Sequence, residues 1–365
     1  MLIPAPPQVA ASGYILMDAD TGTVLIEHNA DELLPPASLS KIMTVYIAAA
    51  ELAEGRLNAD DKVRVSPNAW RKGGAASGGS TMFLDPNSEV TVMELLHGVI
   101  IQSGNDASIA LAEHLAGSEE AFADIMNQNA QILGMTNSSF ENATGLPAEN
   151  HLTTARDMAI LARSMIVEYP EIYRLYSERS YTYNGITQPN RNQLLFRDPS
   201  VDGMKTGHTS EAGFCLVASA QRDNMRLVSV VMGTNSANAR AVETQKLLAY
   251  GFRYFENQVI YSTADAVETS RVWYGEAEQV GLGVAEDVVL TLPRGSRSQL
   301  QANMQLDDTL KAPIALGDQL GRLTVSLDDE VLVEVPLVAR EPVERAGFFA
   351  RLMDGIKLFL TNLFS

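Results

Sequence analysis

The hydrophobic pattern changes period several times along the chain, and each change marks a predicted element. Tyr14–Asp18 and Thr23–His28 are short and rich in Ile, Leu and Val, with Ala19-Asp20-Thr21-Gly22 between them, which predicts a hairpin. After Pro35 and Pro36, the run from Ser38 to about Gly55 is dense in Ala, Leu, Ile and Met. It predicts a helix that the prolines keep from starting earlier. Lys72–Ser80 contains Gly73, Gly74, Gly78 and Gly79 and predicts a flexible loop. From Val92 to about Met165 the spacing is mostly helical, broken at Ser103-Gly104-Asn105 and across Asn142–Asn150. Tyr181–Tyr183, Gly213–Gln221 and Arg226–Gly233 predict strands, and Ala241–Glu256 returns to helix. Helices bracketing mostly antiparallel strands imply an α/β (α+β) main domain over residues 1–257.

Past Asn257 the texture becomes short and alternating. Arg271–Tyr274, Asp287–Leu292, Leu300–Leu306, Gly321–Leu327 and Glu330–Val338 predict strands with no long helix between them, hence a small all-β domain over residues 258–342. Residues 343–365 turn helical again. At about 100° per residue, Phe348, Phe349, Leu352, Met353, Ile356, Phe359, Leu360, Leu363 and Phe364 share one arc, and only Leu358 falls off it. Four phenylalanines crowd this helix in a chain that is 7% aromatic. That density predicts an amphipathic helix lying flat on a membrane surface rather than docking on its own domain. Arg351 and Lys357 against Asp354 leave it a net charge of only +1, so apolar burial would supply most of the affinity.

Composition narrows the chemistry. Lysine and arginine total 27 against 45 acidic residues, a net charge of −18 that disfavours nucleic acid as a partner. The single cysteine, Cys215, excludes an internal disulfide and lies in an apolar run, so it is expected to be inert core filler. No two of the five histidines are four residues apart and there is no H-E-x-x-H, so no metal site and no cofactor is expected. No apolar run is long enough to span a bilayer. No signal peptide is visible at the start, so either a cytosolic protein or a processed exported one is expected.

Ser38-Leu39-Ser40-Lys41 is an S-x-x-K, a pattern that average residue frequencies produce about once by chance in a chain of this length. On a helix, Lys41 would follow Ser38 by one turn on the same face, where its amine could activate the hydroxyl. The plain alternative for Ser38 is a helix cap. Ser103-Gly104-Asn105 fits S-x-N, but so do Ser66-Pro67-Asn68 and Ser236-Ala237-Asn238. Lys205-Thr206-Gly207 is the chain's single K-T-G, expected by chance in roughly one chain in ten, and it directly precedes the strand-like Gly213–Ala220. The three motifs in this order form a known set.

With Pro-Ala-Ser38-Leu-Ser-Lys41, Leu-Gln-Ser103-Gly-Asn105-Asp106 and Val-Asp-Gly-Met-Lys205-Thr-Gly-His208-Thr, the sequence resembles the low-molecular-mass penicillin-binding proteins that act as D-alanyl-D-alanine carboxypeptidases, over nearly its whole length. The resemblance implies a serine β-lactamase/D,D-peptidase-like main domain. It implies Ser38 as the acylated nucleophile, Lys41 as its base, Ser103 as proton relay, Asn105 as the group holding the substrate's peptide carbonyl and Lys205 as the charge that keeps Lys41 neutral. Thr206, Gly207, His208 and Arg240 would bind substrate. In this assignment Thr206 and Arg240 take the terminal carboxylate, and the His208 and Ser38 N–H groups form the oxyanion hole. Its implied partners are peptidoglycan stem peptides, β-lactams and a membrane surface, with no nucleic acid. Its implied location is periplasmic, on the outer face of the inner membrane.

Three other functions compete. A class A β-lactamase also needs a glutamate in an E-x-x-x-N loop between S-x-N and K-T-G, and none stands there. Long-lived penicillin adducts are therefore expected, with slow hydrolysis as a weak activity. A non-hydrolytic D-Ala-D-Ala-binding module would have no use for a base beside a serine. D,D-endopeptidase action uses the same residues as carboxypeptidase action.

Overall fold

The computed structural model describes residues 3–306 and 309–364. The chain forms two compact units, the first spanning Pro4–Tyr254 and the second starting at Phe255.

In the first unit β1 (Gly13–Asp18) and β2 (Val24–His28) make the expected hairpin. Three later strands complete an antiparallel sheet: β3 (Val201–Thr209), β4 (Gly213–Arg222) and β5 (Met225–Thr234), in the order β2–β1–β5–β4–β3. Successive strand residues point to opposite faces. Ile15, Met17, Val228 and Val230 join one core with the helices α1 (Lys41–Ala53), α2 (Asn105–Ala116) and α3 (Ala155–Glu168). Leu16 and Leu227 instead meet α4 (Ala237–Tyr254), so closely that a Cβ on Gly251 would lie 2.9 and 2.6 Å from them. The sheet is thus layered between helices, an α/β main domain as expected.

Two local expectations change. The strand β3, which carries Lys205, was not predicted, because Asp202, Gly203, Lys205 and Gly207 interrupt any apolar alternation. The Gly-rich stretch is partly helical. Ser66 accepts the Ala69 N–H and Pro67 occupies the first position of a helix Pro67–Gly73, which a single 3₁₀ turn follows at Ala75–Ser77.

The second unit is β-rich. A five-stranded antiparallel sheet runs β7 (Glu268–Arg271), β8 (Gln279–Val284), β12 (Glu330–Ala339), β11 (Gln319–Leu327), β10 (Gln301–Leu306), while β6 (Phe255–Tyr261) pairs with β9 (Val288–Pro293). The sequence pattern overlooks β6 and β8, and the strand expected at Arg271–Tyr274 shares only Arg271 with β7. In β8, Val280, Leu282 and Val284 alternate, but Gly281 and Gly283 between them read as turn residues, and a Cβ on Gly283 would meet Arg340 Cδ at 2.8 Å. Val343 and Ala346 are buried in this unit, and the terminal helix α5 (Phe348–Phe364) begins just after them.

Toward its own unit α5 turns Asp354, whose Oδ2 accepts the Tyr274 N–H at 2.9 Å, and Gly355, against the Tyr274 ring. Leu358, the residue off the apolar arc, is half-buried. Phe348, Phe349, Leu352, Met353, Ile356, Phe359 and Leu360 are all exposed, Phe349 at 80%. Leu363 and Phe364 belong to the same predicted arc, but their side chains lie outside the described residues. No helix among the described residues is long and apolar enough to cross a membrane.

Candidate active site

Ser38 does not begin an α-helix. Pro35 and Pro36 lead into a 3₁₀ turn, Ala37–Ser40, and α1 starts at Lys41. Ser38 is therefore no cap, and the N-cap position belongs to Ser40. The turn still brings the amine to the hydroxyl: Lys41 Nζ lies 3.0 Å from Ser38 Oγ, 2.7 Å from Asn105 Oδ1 and 2.7 Å from the Thr144 carbonyl. The last two atoms can only accept. A neutral amine has two N–H groups, so satisfying both acceptors leaves its lone pair for the Ser38 proton.

The Ser103 segment is shaped from below. A π-helical turn, Gly98–Gln102, ends on Ser103 in the left-handed region (φ 58°), and Asn105 then opens α2. The next residue, Asp106, is fully buried. Its carboxylate accepts from Thr81 Oγ1 at 2.7 Å and from the Met82 and Leu84 N–H groups at 2.8 and 3.0 Å, which ties the Gly-rich segment to the head of α2. The two competing S-x-N matches are ordinary caps: Ser66 Oγ accepts the Ala69 N–H and Ser236 Oγ the Ala239 N–H. Ser103 caps nothing. Its hydroxyl accepts from Lys205 Nζ at 2.8 Å, and Lys205 also donates to the Thr206 carbonyl at 3.1 Å.

Two lysines are thus buried side by side, Lys41 at 0% and Lys205 at 3% exposure, and neither touches a carboxylate. Burial, with the Arg191 charge second, pushes Lys41 down to about 7. Lys205 is held well below its ordinary value by burial first, then by the charges of Lys41, Arg191 and Arg240. The Asp106 charge, third in size, works the other way on Lys41 and favours its protonated form.

A cavity of about 420 Å³ opens beside Ser38 and also receives Ser103, Asn105, Thr206, Gly207, His208 and Arg240. Of the nine expected site residues, seven line this cavity, and the other two, Lys41 and Lys205, lie buried next to it. Arg240 reaches in from α4 and donates to the Gly207 carbonyl at 3.1 Å. Gly207 is a point of close approach, since a Cβ there would lie 2.9 Å from the Pro36 carbonyl oxygen. Gly145, at φ 82°, approaches closer still, and a Cβ there would lie 1.7 Å from the Ala37 oxygen. The NH₂ of Asn105 makes no hydrogen bond among the described residues and is left for a ligand carbonyl.

The sequence motifs did not point to three contributors. Thr144 acts through its backbone carbonyl, which leaves no side-chain signal. Phe214 stacks on His208, ring centroids 3.9 Å apart, and lies under the Arg240 guanidinium. Arg191 lines the cavity from Asn190-Arg191-Asn192, a polar stretch without a motif. No residue lining this cavity is acidic, so a chain of net charge −18 concentrates Lys41, Lys205, Arg191 and Arg240 around one cleft. Cys215 is buried and pushed up to about 11 by that burial, as expected of core filler.

Comparison with known proteins agrees with this geometry. Residues 2–236 match the family model for D-alanyl-D-alanine carboxypeptidase, and residues 255–345 match that for the penicillin-binding protein 5 C-terminal domain. The D-alanyl-D-alanine carboxypeptidase DacC of Escherichia coli K12 is 44% identical over 96% of this chain and 89% of its own length. Penicillin-binding protein 5 from Haemophilus influenzae superposes with a TM-score of 0.87 at 41% identity, covering 94% of this chain and all of that one. Penicillin-binding protein 6B from E. coli gives 0.78 at 36% identity, covering 92% and 98%. The chain belongs to the serine-type D-alanyl-D-alanine carboxypeptidase family.

Proposed function

We propose that Ser38 is the nucleophile of a D-Ala-D-Ala carboxypeptidase reaction on peptidoglycan stem peptides, with Lys41 as its base. The observation that carries this is the buried Lys41 amine, 3.0 Å from Ser38 Oγ and in contact with no carboxylate. Ser38 Oγ bonds to the carbonyl carbon of the penultimate D-alanine as its proton passes to Lys41. The C–N bond then breaks, and the leaving amine of the terminal D-alanine takes a proton through Ser103, which Lys205 holds in place. Water hydrolyses the ester and regenerates the Ser38 hydroxyl. Asn105 donates to the substrate's peptide carbonyl, and the Ser38 and His208 N–H groups receive the oxyanion. Thr206 and Arg240, beside Gly207, take the terminal carboxylate, for which a cation-lined cleft without acids is suited.

A β-lactam would acylate Ser38 by the same attack. With no acidic residue lining the cavity to activate water, the adduct is expected to persist. In our assignment residues 1–257 form the catalytic domain, 258–342 the β-rich domain and 343–365 the segment carrying the anchor. The exposed apolar arc of α5 rests the protein on a membrane surface, in the periplasm on the outer face of the inner membrane, where stem peptides are found.

The test is release of D-alanine from an N-blocked peptide ending in Lys-D-Ala-D-Ala. Ser38→Ala should lower it by about 10⁴-fold or more while the protein stays folded. Peptide binding without release by the unaltered protein would instead identify a binding module.

A further inference from the structure

Behind the nucleophile lie a second serine and a buried histidine to which the reaction above gives no part. Ser40 occupies the N-cap position of α1, yet its hydroxyl caps nothing. It donates back to the Ala37 carbonyl at 2.9 Å and lies 2.7 Å from Nε2 of His151. His151 is 2% exposed, sits edge-on to Phe140, and its Nδ1 accepts the Glu141 backbone N–H at 3.0 Å. That backbone donor sets the tautomer. With Nδ1 accepting, the ring proton is on Nε2 and points at Ser40 Oγ, so the Ser40 proton is directed to Ala37. Burial pushes His151 down to about 4, so the ring is neutral around pH 7 and the run keeps this direction.

The run ends on a constrained peptide. Ala37 has φ 49°, in the left-handed region that costs a non-glycine residue about 1 kcal/mol or more. A trans peptide is planar, so the direction of the Ala37 carbonyl sets that of the Ser38 N–H, which points the opposite way.

We infer that Ser40 and His151 are positioning residues for the oxyanion hole: the run from Glu141 N–H through His151 and Ser40 to the Ala37 carbonyl holds the Ala37–Ser38 peptide plane, and with it the Ser38 N–H, toward the reacting carbonyl. This rests on the acyl-enzyme reaction proposed above. Neither side chain lines the active cavity, so neither touches substrate.

The test uses the full chain with Ser40→Ala, His151→Phe and the double variant, each acylated with benzylpenicillin carrying a ¹³C label at the lactam carbonyl. Infrared difference spectra read the ester carbonyl of the adduct, and D-alanine release gives kcat and KM. Each single variant should lose about tenfold to a hundredfold in kcat, with KM within about twofold. The ester band should move to higher wavenumber as the carbonyl loses a donor, and the double variant should fall no further than the weaker single one. Only acylated molecules contribute the band, so misfolded protein is silent in it. An unshifted band in Ser40→Ala, or wild-type kcat in that variant, overturns the inference. If the unaltered protein forms no adduct at all, it is the acyl-enzyme reaction that fails.

Discussion

The two units of this chain break the ordinary burial rule in opposite directions. The first buries ionisable amines: Lys41 and Lys205 are almost wholly enclosed, with hydroxyl, amide and carbonyl oxygens for partners instead of carboxylates. The second exposes what should be inside, seven large apolar side chains along one face of α5. Arg226 in the same unit as the two lysines shows the ordinary arrangement, meeting Asp202 through two hydrogen bonds of 2.8 Å. Each exception is unfavourable in the isolated protein, and the function proposed above would relieve each from outside, by an anionic peptide end in one case and an apolar surface in the other. Departures of this kind locate function more sharply than overall composition does.

The comparison breaks most visibly at Lys41. Lys41→Met should lower the kcat for D-alanine release by about 10³-fold or more, with a native circular dichroism spectrum. An active variant would mean that the buried amine is not there for chemistry. The pH profile sharpens the same half. Lys41 must be neutral to accept the Ser38 proton, so kcat/KM for acylation should rise with pH and reach half its plateau near 7. The sign for stability follows from the same shift. The native value lies below that of the unfolded chain, so between about 7 and 10.5 the unfolded state binds a proton that the native state does not. Chemical denaturation should therefore show the Lys41 contribution to stability rising with pH across that window.

The second half is tested at α5. Ending the chain at Gly347, which keeps the buried Val343 and Ala346, should reduce co-sedimentation with liposomes by about tenfold or more. Release of D-alanine from a soluble peptide should stay within about twofold. The smallest effect is on the fold itself. Phe348→Ser with Phe349→Ser should change unfolding free energy by less than about 0.5 kcal/mol, because both rings already face solvent, while still weakening liposome binding.

What the sequence makes legible follows from how each feature is encoded. The layered main domain, the β-rich unit and the apolar arc of α5 are all written in periodic apolar positions, and the three motifs place the reacting groups. Glycines inside a strand read as turns, so β3 and β8 were missed although β3 carries Lys205. Ser38 was expected on an α-helix and stands in a 3₁₀ turn, because residue spacing alone does not separate the two when one turn is involved. Thr144 contributes only backbone, and Arg191 belongs to a polar loop whose place over the cleft is decided by the tertiary fold. The false S-x-N matches could be dismissed only once their hydroxyls were seen to cap helices.

The close approach at Gly145 and Gly207 has a consequence for inheritance. A glycine codon becomes an alanine codon by one base change, yet either replacement would press a methyl group against the backbone at Pro36 or Ala37, next to Ser38. A lineage under β-lactam selection therefore has two of its nearest single-step substitutions closed, since each would disturb the proposed acylation of Ser38 by substrate along with that by the drug. Escape is left to positions that meet the inhibitor without supporting Ser38.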